Sequence, residues 1–175
     1  MTYFRPHYKY SKTMNNYTEV FGNLITLAKD GEFDVIAHGC NCMCTMGAGL
    51  APHMASAFGC DLFKLENTQY RGDINKLGQI DGVLVSRADM KRGVFVLNAY
   101  TQYKYGRNHA DGDAVPVDYD AITLCMRKIN HNFKGMHIGL PMIGAGLAGG
   151  DWEKIKQIIK RELKDCIVTI VILKK

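Results

Sequence analysis

Apolar residues in this chain fall into short, separated runs. "DVIAHGC" (34–40) is apolar through its centre and ends at glycine and cysteine, the pattern of a strand buried on both faces. "CIVTIVIL" (166–173) reads the same way. "IDGVLVS" (80–86) and "GVFVLNAYTQ" (93–102) are rich in β-branched and aromatic residues and flank "RADMKRG", which predicts two strands joined by a turn. "YTEVFG" predicts a short first strand and "MHIGLPMIG" the penultimate one. Helical spacing runs through "VDYDAITLCMRKINHNF" (117–133) and "DWEKIKQIIKREL" (151–163). "GAGLAPHMASAFG" (47–59) predicts a helix opened by glycines, with Pro52 in its first turn, and "DLFKLENTQYR" (61–71) a second short helix. Residues 103–116 read as a long polar loop, and residues 1–16 as an N-terminal extension before one domain at 17–175.

Strands alternating with helices imply an α/β domain whose sheet is mainly parallel and covered on both faces. Ligands of such sheets sit at the carboxyl ends of the strands. Two glycine-rich turns, 44–49 and 144–150, fall at such ends, and each runs into a helix. That arrangement offers free backbone N–H groups and a positive dipole end to an anion, and a pair of such turns on one edge suits a diphosphate. Composition sharpens the picture little: 47% hydrophobic and 22% charged residues are ordinary for a globular chain, and 175 residues suffice for one core. The net charge of +5 favours an anionic ligand, but the basic residues are too dispersed for a nucleic-acid stripe. No run is long enough to span a membrane and no secretory signal opens the chain. Six cysteines in that context point to reduced thiols and a cytoplasmic location.

The stretch "HGCNCMCTMGAGLA" (38–51) concentrates the candidate chemistry. Cys40, Cys42 and Cys44 lack the second knuckle that structural zinc requires, so no metal is expected. A cysteine nucleophile needs a base and a positive setting; His38 and the helix near Gly47 are close in sequence, against the simpler reading of buried thiols. "GAGLAGG" matches a dinucleotide fingerprint in letters only, since no second strand with an acidic end follows it, and no phosphate-loop motif ending in G-K-[ST] occurs. No cofactor is expected. His38 is either a satisfied core histidine or an acid–base group, and Asn41 either a turn residue or a ligand contact. Asp151 is either a helix cap or a carboxylate facing the cleft. Asn98, Tyr100 and Gln102 share one face of a strand end and could wall a sugar or phosphate pocket; Lys104 and Arg107 follow in the loop.

At this point two loops resemble those of macrodomains. "DVIAHGCNCMCTMGAGLA" is similar to the first macrodomain ligand loop, a strand leading through an asparagine into G-x-G-[IVL]-A. "LPMIGAGLAGGDW" is similar to the second, and "VFGNLITL" stands where the family carries G-D-[IL]. The matches occur in family order over about residues 17–173. They lie nearest the branch that processes ADP-ribose-1''-phosphate. The resemblance implies a three-layer α/β/α sandwich with a mixed, mostly parallel central sheet and a cleft for ADP-ribose. It implies a hydrolase acting at the distal ribose, with His38 as acid or base, Asn41 orienting ribose or water, and Asp151 as a substitute carboxylate. The alternatives are a reader without chemistry, or removal of ADP-ribose from modified protein or nucleic acid. Ligand contacts carried over are Thr45, Met46, Gly47, Ala48, Gly49 and Leu50 in the first loop. In the second they are Ile143, Gly144, Ala145, Gly146, Leu147 and Ala148. Asn23, beside Leu24, replaces the adenine-reading aspartate. The lysine and aspartate of the deacylating branch lack counterparts, with Ala148 in the aspartate's place.

Overall fold

In a computed structural model, which describes residues 16–63, 65–106 and 116–174, the chain builds a six-stranded sheet with helices on both faces. The elements are β1 (Tyr17–Phe21), α1 (Leu24–Lys29), β2 (Val35–Asn41), α2 (Ala51–Phe58), β3 (Ile80–Val85), β4 (Val94–Gln102), α3 (Tyr119–Asn132), β5 (His137–Leu140), α4 (Trp152–Glu162) and β6 (Ile167–Ile172), with a 3₁₀ turn at Ile74–Lys76 before β3. The sheet order is β1-β6-β5-β2-β4-β3. Every neighbouring pair is parallel except β3 with β4, the antiparallel hairpin expected from "RADMKRG". All but Asn16 of the expected N-terminal extension, and residues 107–115 of the polar loop, including Arg107, lie outside the described residues.

Side-chain alternation along the strands divides the core in two. Val35 and Ala37 of β2, Leu97 and Ala99 of β4, and Val168 and Ile170 of β6 meet α3 and α4 through Ile122, Met126, Ile129, Ile155 and Ile159. Ile36, Val94, Val96 and Val171 point the other way, onto Leu24 and Ala28 of α1 and Met54 and Phe58 of α2. Both faces of the central strands are therefore buried, which is why they read as continuous apolar runs. Asp34 ties the base of the sheet. Its carboxylate pairs with Arg92 of the hairpin turn at 2.8 Å and accepts from the backbone N–H of His137 at 2.9 Å. Arg92 Nε also donates to the carbonyl of Gly31.

Several local expectations change. The helix expected over 47–59 starts at Ala51, because Gly49 turns with φ +67° and Pro52 belongs in a first turn. The second short helix expected over 61–71 does not form among the described residues. Phe63 and Asn67 take left-handed backbone, φ 48° and 60°, and break the run into turns. β5 ends at Leu140, before Pro141, which cannot donate to a ladder. α1 was not foreseen: it is six residues long and rests on Asn23, whose side-chain oxygen accepts from the N–H groups of Ile25 and Thr26. No helix among the described residues is long and apolar enough to cross a membrane.

The site's placement depends on close packing near the strand bases. A Cβ on Gly139 of β5 would lie 2.6 Å from the ring of Phe33, which is buried. Gly139→Ala is expected to destabilise the fold by about 2 kcal/mol. Urea unfolding checks this; an unchanged midpoint would show that the Phe33 ring yields freely.

Candidate functional site

β5 and β2 are parallel neighbours whose onward connections leave in opposite directions: β5 returns through α4 to β6, and β2 runs through α2 toward β3 and β4. A crevice opens outside the carboxyl ends of the strands at such a divide. Here it is a cavity of about 750 Å³, within the 300–1,000 Å³ or so usual for a small-molecule site. Gly39 and Asn41 of β2 and Thr101 and Gln102 of β4 line it from the sheet. The loop from Thr45 to Ala51 forms one side and the loop from Pro141 to Ala148 the other. Tyr105, largely exposed, and Gly106 also border it.

Both loops hold their shape with a few bonds and leave the remaining donors free. Asn41 clasps Thr45: its Nδ2 donates to the Thr45 carbonyl at 3.1 Å, and its Oδ1 accepts from the Thr45 N–H at 3.3 Å. The N–H groups of Met46, Gly47, Ala48 and Gly49 make no hydrogen bond among the described residues. α2 then starts at Leu50 without the side-chain cap that Asn23, Asp118 and Asp151 give the other helices. In the second loop, Gly150 N–H donates to the Gly144 carbonyl at 2.8 Å and Gly149 to Gly146 at 3.0 Å. A Cβ on Gly150 would sit 2.6 Å from that carbonyl oxygen, so the closure needs glycine there. The N–H groups of Gly144, Gly146, Leu147 and Ala148 make no hydrogen bond among the described residues. Unpaired amides from two loops and an uncapped helix start present donors of the kind that accept an anion.

Behind the sheet side of the cavity lies a buried polar network. His38 is fully buried, and its Nε2 meets Asn98 Oδ1 at 2.8 Å. Asn98 Nδ2 donates to the Cys60 carbonyl and to Asp81 Oδ1, which fixes the amide and makes Oδ1 the acceptor. The proton of neutral His38 is thereby assigned to Nε2. Tyr100 OH donates to the other oxygen of Asp81, and its pKa is raised, chiefly by burial and then by that bond. Burial lowers the His38 pKa to about 4, so the ring is neutral near pH 7 and weakly basic. Cys40, Cys42 and Cys44 pack with Phe63 and Tyr100. Burial raises all three thiol pKa values, that of Cys42 to about 12, which keeps them protonated rather than nucleophilic.

The structure brings many of the expected residues to the cavity: His38, Asn41, Thr45, Gly47, Ala48, Gly49, Leu50, Gln102, Ile143, Gly144, Gly146, Leu147 and Ala148. Seven others have different surroundings. Asp151 caps α4 by accepting from Glu153 N–H at 2.9 Å, and Asn23 caps α1. Leu24 is buried with the α1–α2 core. Met46 packs between two apolar clusters, Ala145 against the α3–α4 core, and Asn98 and Tyr100 belong to the buried network. The sequence reading passed over Gly39, Thr101, Tyr105, Pro141 and Met142, which also line the cavity. Thr101 was open to discovery, since it continues the face of Leu97 and Ala99.

No protein-family model matches the chain. It is 31% identical over 143 residues, 79% of its length, to the uncharacterized 17.5 kDa protein in the tk-vs intergenic region of Enterobacteria phage T4, covering 84% of that protein. Among solved structures it superposes on the macrodomain of Mycobacterium tuberculosis DarG with a TM-score of 0.61 at 19% identity, covering 89% of this chain and 96% of that one. It superposes on Thermosipho africanus DarTG in complex with ADP-ribose with a TM-score of 0.64 at 19% identity, over 92% of this chain and 42% of that one.

The unfolded chain takes up a proton at His38 near the ordinary value of 6.5, whereas the folded chain resists until about 4. The unfolded state therefore binds more protons between those values, and the fold loses stability as pH falls through them, by about 3 kcal/mol at pH 4. Melting temperatures from pH 7 to 4.5 should fall more steeply for the wild type than for His38→Gln. Parallel curves would remove His38 as the acid-sensitive group.

Proposed function

The chain belongs to one family with the phage T4 17.5 kDa protein and has the macrodomain fold, and from its cleft we propose that it binds ADP-ribose, through the diphosphate and the sugar beyond it. The observation that carries this reading is the set of unpaired N–H groups on the two facing loops, Met46–Gly49 and Gly144, Gly146–Ala148. A dianionic diphosphate between them would satisfy donors from both sides and meet the open start of α2. The sugar beyond it lies toward Asn41 and Gln102 at the strand ends. The solved Thermosipho relative in complex with ADP-ribose supports the same ligand class. No described residue of β1, α1 or β6 lines the cavity, so the grip falls on the diphosphate and sugar rather than on the base.

Two activities are compatible with that grip: capture without chemistry, and hydrolysis of a distal-ribose ester such as ADP-ribose-1''-phosphate. The geometry supports capture better. Asp151 spends its carboxylate on the start of α4, and Asn41 spends its amide on Thr45. His38 borders the cavity, which favours hydrolysis, yet a base with a pKa of about 4 removes protons poorly at neutral pH. As a binder the protein would take the free nucleotide, or the same group carried on a modified protein or nucleic acid.

ADP-ribose is expected to raise the melting temperature while AMP does not. A Cβ on Gly146 meets nothing within 4 Å, so Gly146→Asp should fold normally while placing a carboxylate among the free N–H groups. That variant should lose the ADP-ribose shift; an undiminished shift would put the ligand elsewhere. Phosphate release from ADP-ribose-1''-phosphate, abolished in His38→Ala, would decide for hydrolysis over capture.

A further inference from the structure

Among the described residues, two buried side-chain polar atoms lack a hydrogen-bond partner: Lys76 Nζ and Thr101 Oγ1. They differ in their surroundings. Lys76 Nζ lies 5.4 Å from the centroid of the Tyr100 ring, within reach of a cation–π contact, and Lys76 does not line the cavity. Thr101 is fully buried and does line it. A buried hydroxyl without a partner is costly to a fold, and such groups mark places where an outside partner is expected.

Backbone geometry sets this hydroxyl where it is. β2 and β4 pair in register through Cys40 and Tyr100, but the next pair joins Asn41 to Gln102. Thr101 is therefore the extra residue of a β-bulge, a device that re-aims one side chain and is common beside ligand sites. Its side chain lies over Gly39, the partner of Ala99, where a Cβ would lie 2.9 Å from Thr101 Oγ1 and 3.4 Å from Ile143 Cγ1. A larger residue at 39 would collide with the hydroxyl. Thr101 and Ile143 close over Gly39, and all three residues line the cavity. The Thr101 carbonyl accepts from Asp118 N–H at 2.9 Å, which anchors its backbone to the start of α3 and leaves the side chain alone available.

We propose that Thr101 is a ligand-anchoring residue, whose hydroxyl, buried without a partner and packed over Gly39 at the cavity wall, bonds a hydroxyl of the terminal sugar of bound ADP-ribose. This rests on the reading of the cleft above. Diphosphate oxygens can take the loop N–H groups, whereas a sugar hydroxyl can both donate to and accept from a threonine hydroxyl. The free protein tolerates an unsatisfied group that the complex satisfies.

The test is isothermal titration with ADP-ribose on the full chain, wild type, Thr101→Val and Thr101→Ser, with melting temperatures of each free protein. Valine keeps the shape and removes the hydroxyl; serine keeps the hydroxyl. Thr101→Val is expected to weaken binding roughly tenfold while the free protein melts no lower than the wild type. Thr101→Ser should bind within about twofold of the wild type, as its hydroxyl can make the same bond. A structural role would move the other way, lowering the melting temperature of the valine variant, and that result overturns the proposal. Equal affinity of wild type and Thr101→Val also overturns it while leaving the ADP-ribose reading intact. Absence of binding by the wild type overturns that reading and this inference together.

Discussion

A peptide N–H group removed from water must find an acceptor, and much of this structure follows from where that demand is met and where it is left open. Strands and helices satisfy their own groups. Asn23, Asp118 and Asp151 satisfy three helix starts with side-chain oxygens. The loop after β2 and the loop after β5 carry N–H groups without a bond among the described residues. They adjoin because β2 and β5 are parallel neighbours whose connections diverge. Sheet topology thus brings the unpaired donors of two loops to one mouth.

What surrounds that mouth is built for rigidity. The network from His38 through Asn98 to Asp81 and Tyr100 links β2, β4 and β3 behind the cavity, and every member has a partner. A satisfied buried network fixes register and orientation. The three cysteines of "HGCNCMCTMG" pack against the same group as protonated, apolar-like filling. Residues that look like chemistry in the sequence thus serve as the frame, while the unpaired N–H groups belong to glycines and apolar residues of the two loops.

The α/β class, the parallel centre and the lone antiparallel hairpin were legible because doubly buried strands and helical spacing leave distinct periodicities. The two loops were legible because glycine clusters at strand ends have few other uses. Asp151 and Asn23 were harder: a carboxylate or amide one position before a helix can serve as a cap or as a site residue, and the bonds to Glu153 and Ile25 show the capping. The helix expected at 61–71 failed because Phe63 and Asn67 adopt left-handed backbone, which side-chain spacing does not signal. The place of Thr101 on the Leu97–Ala99 face was legible, but its lack of a strand partner was not, since a bulge is a property of two paired strands.

The Gly150–Gly144 closure has a consequence for heredity. A recognition surface made of peptide groups is written in backbone angles, and many different sequences spell the same angles. Drift can replace nearly every side chain around such a surface provided the tight contacts, such as the 2.6 Å approach at Gly150, stay free of a Cβ. Chains with this architecture can therefore diverge to about a fifth identity, as with the DarG macrodomain, and still superpose over nine-tenths of their length.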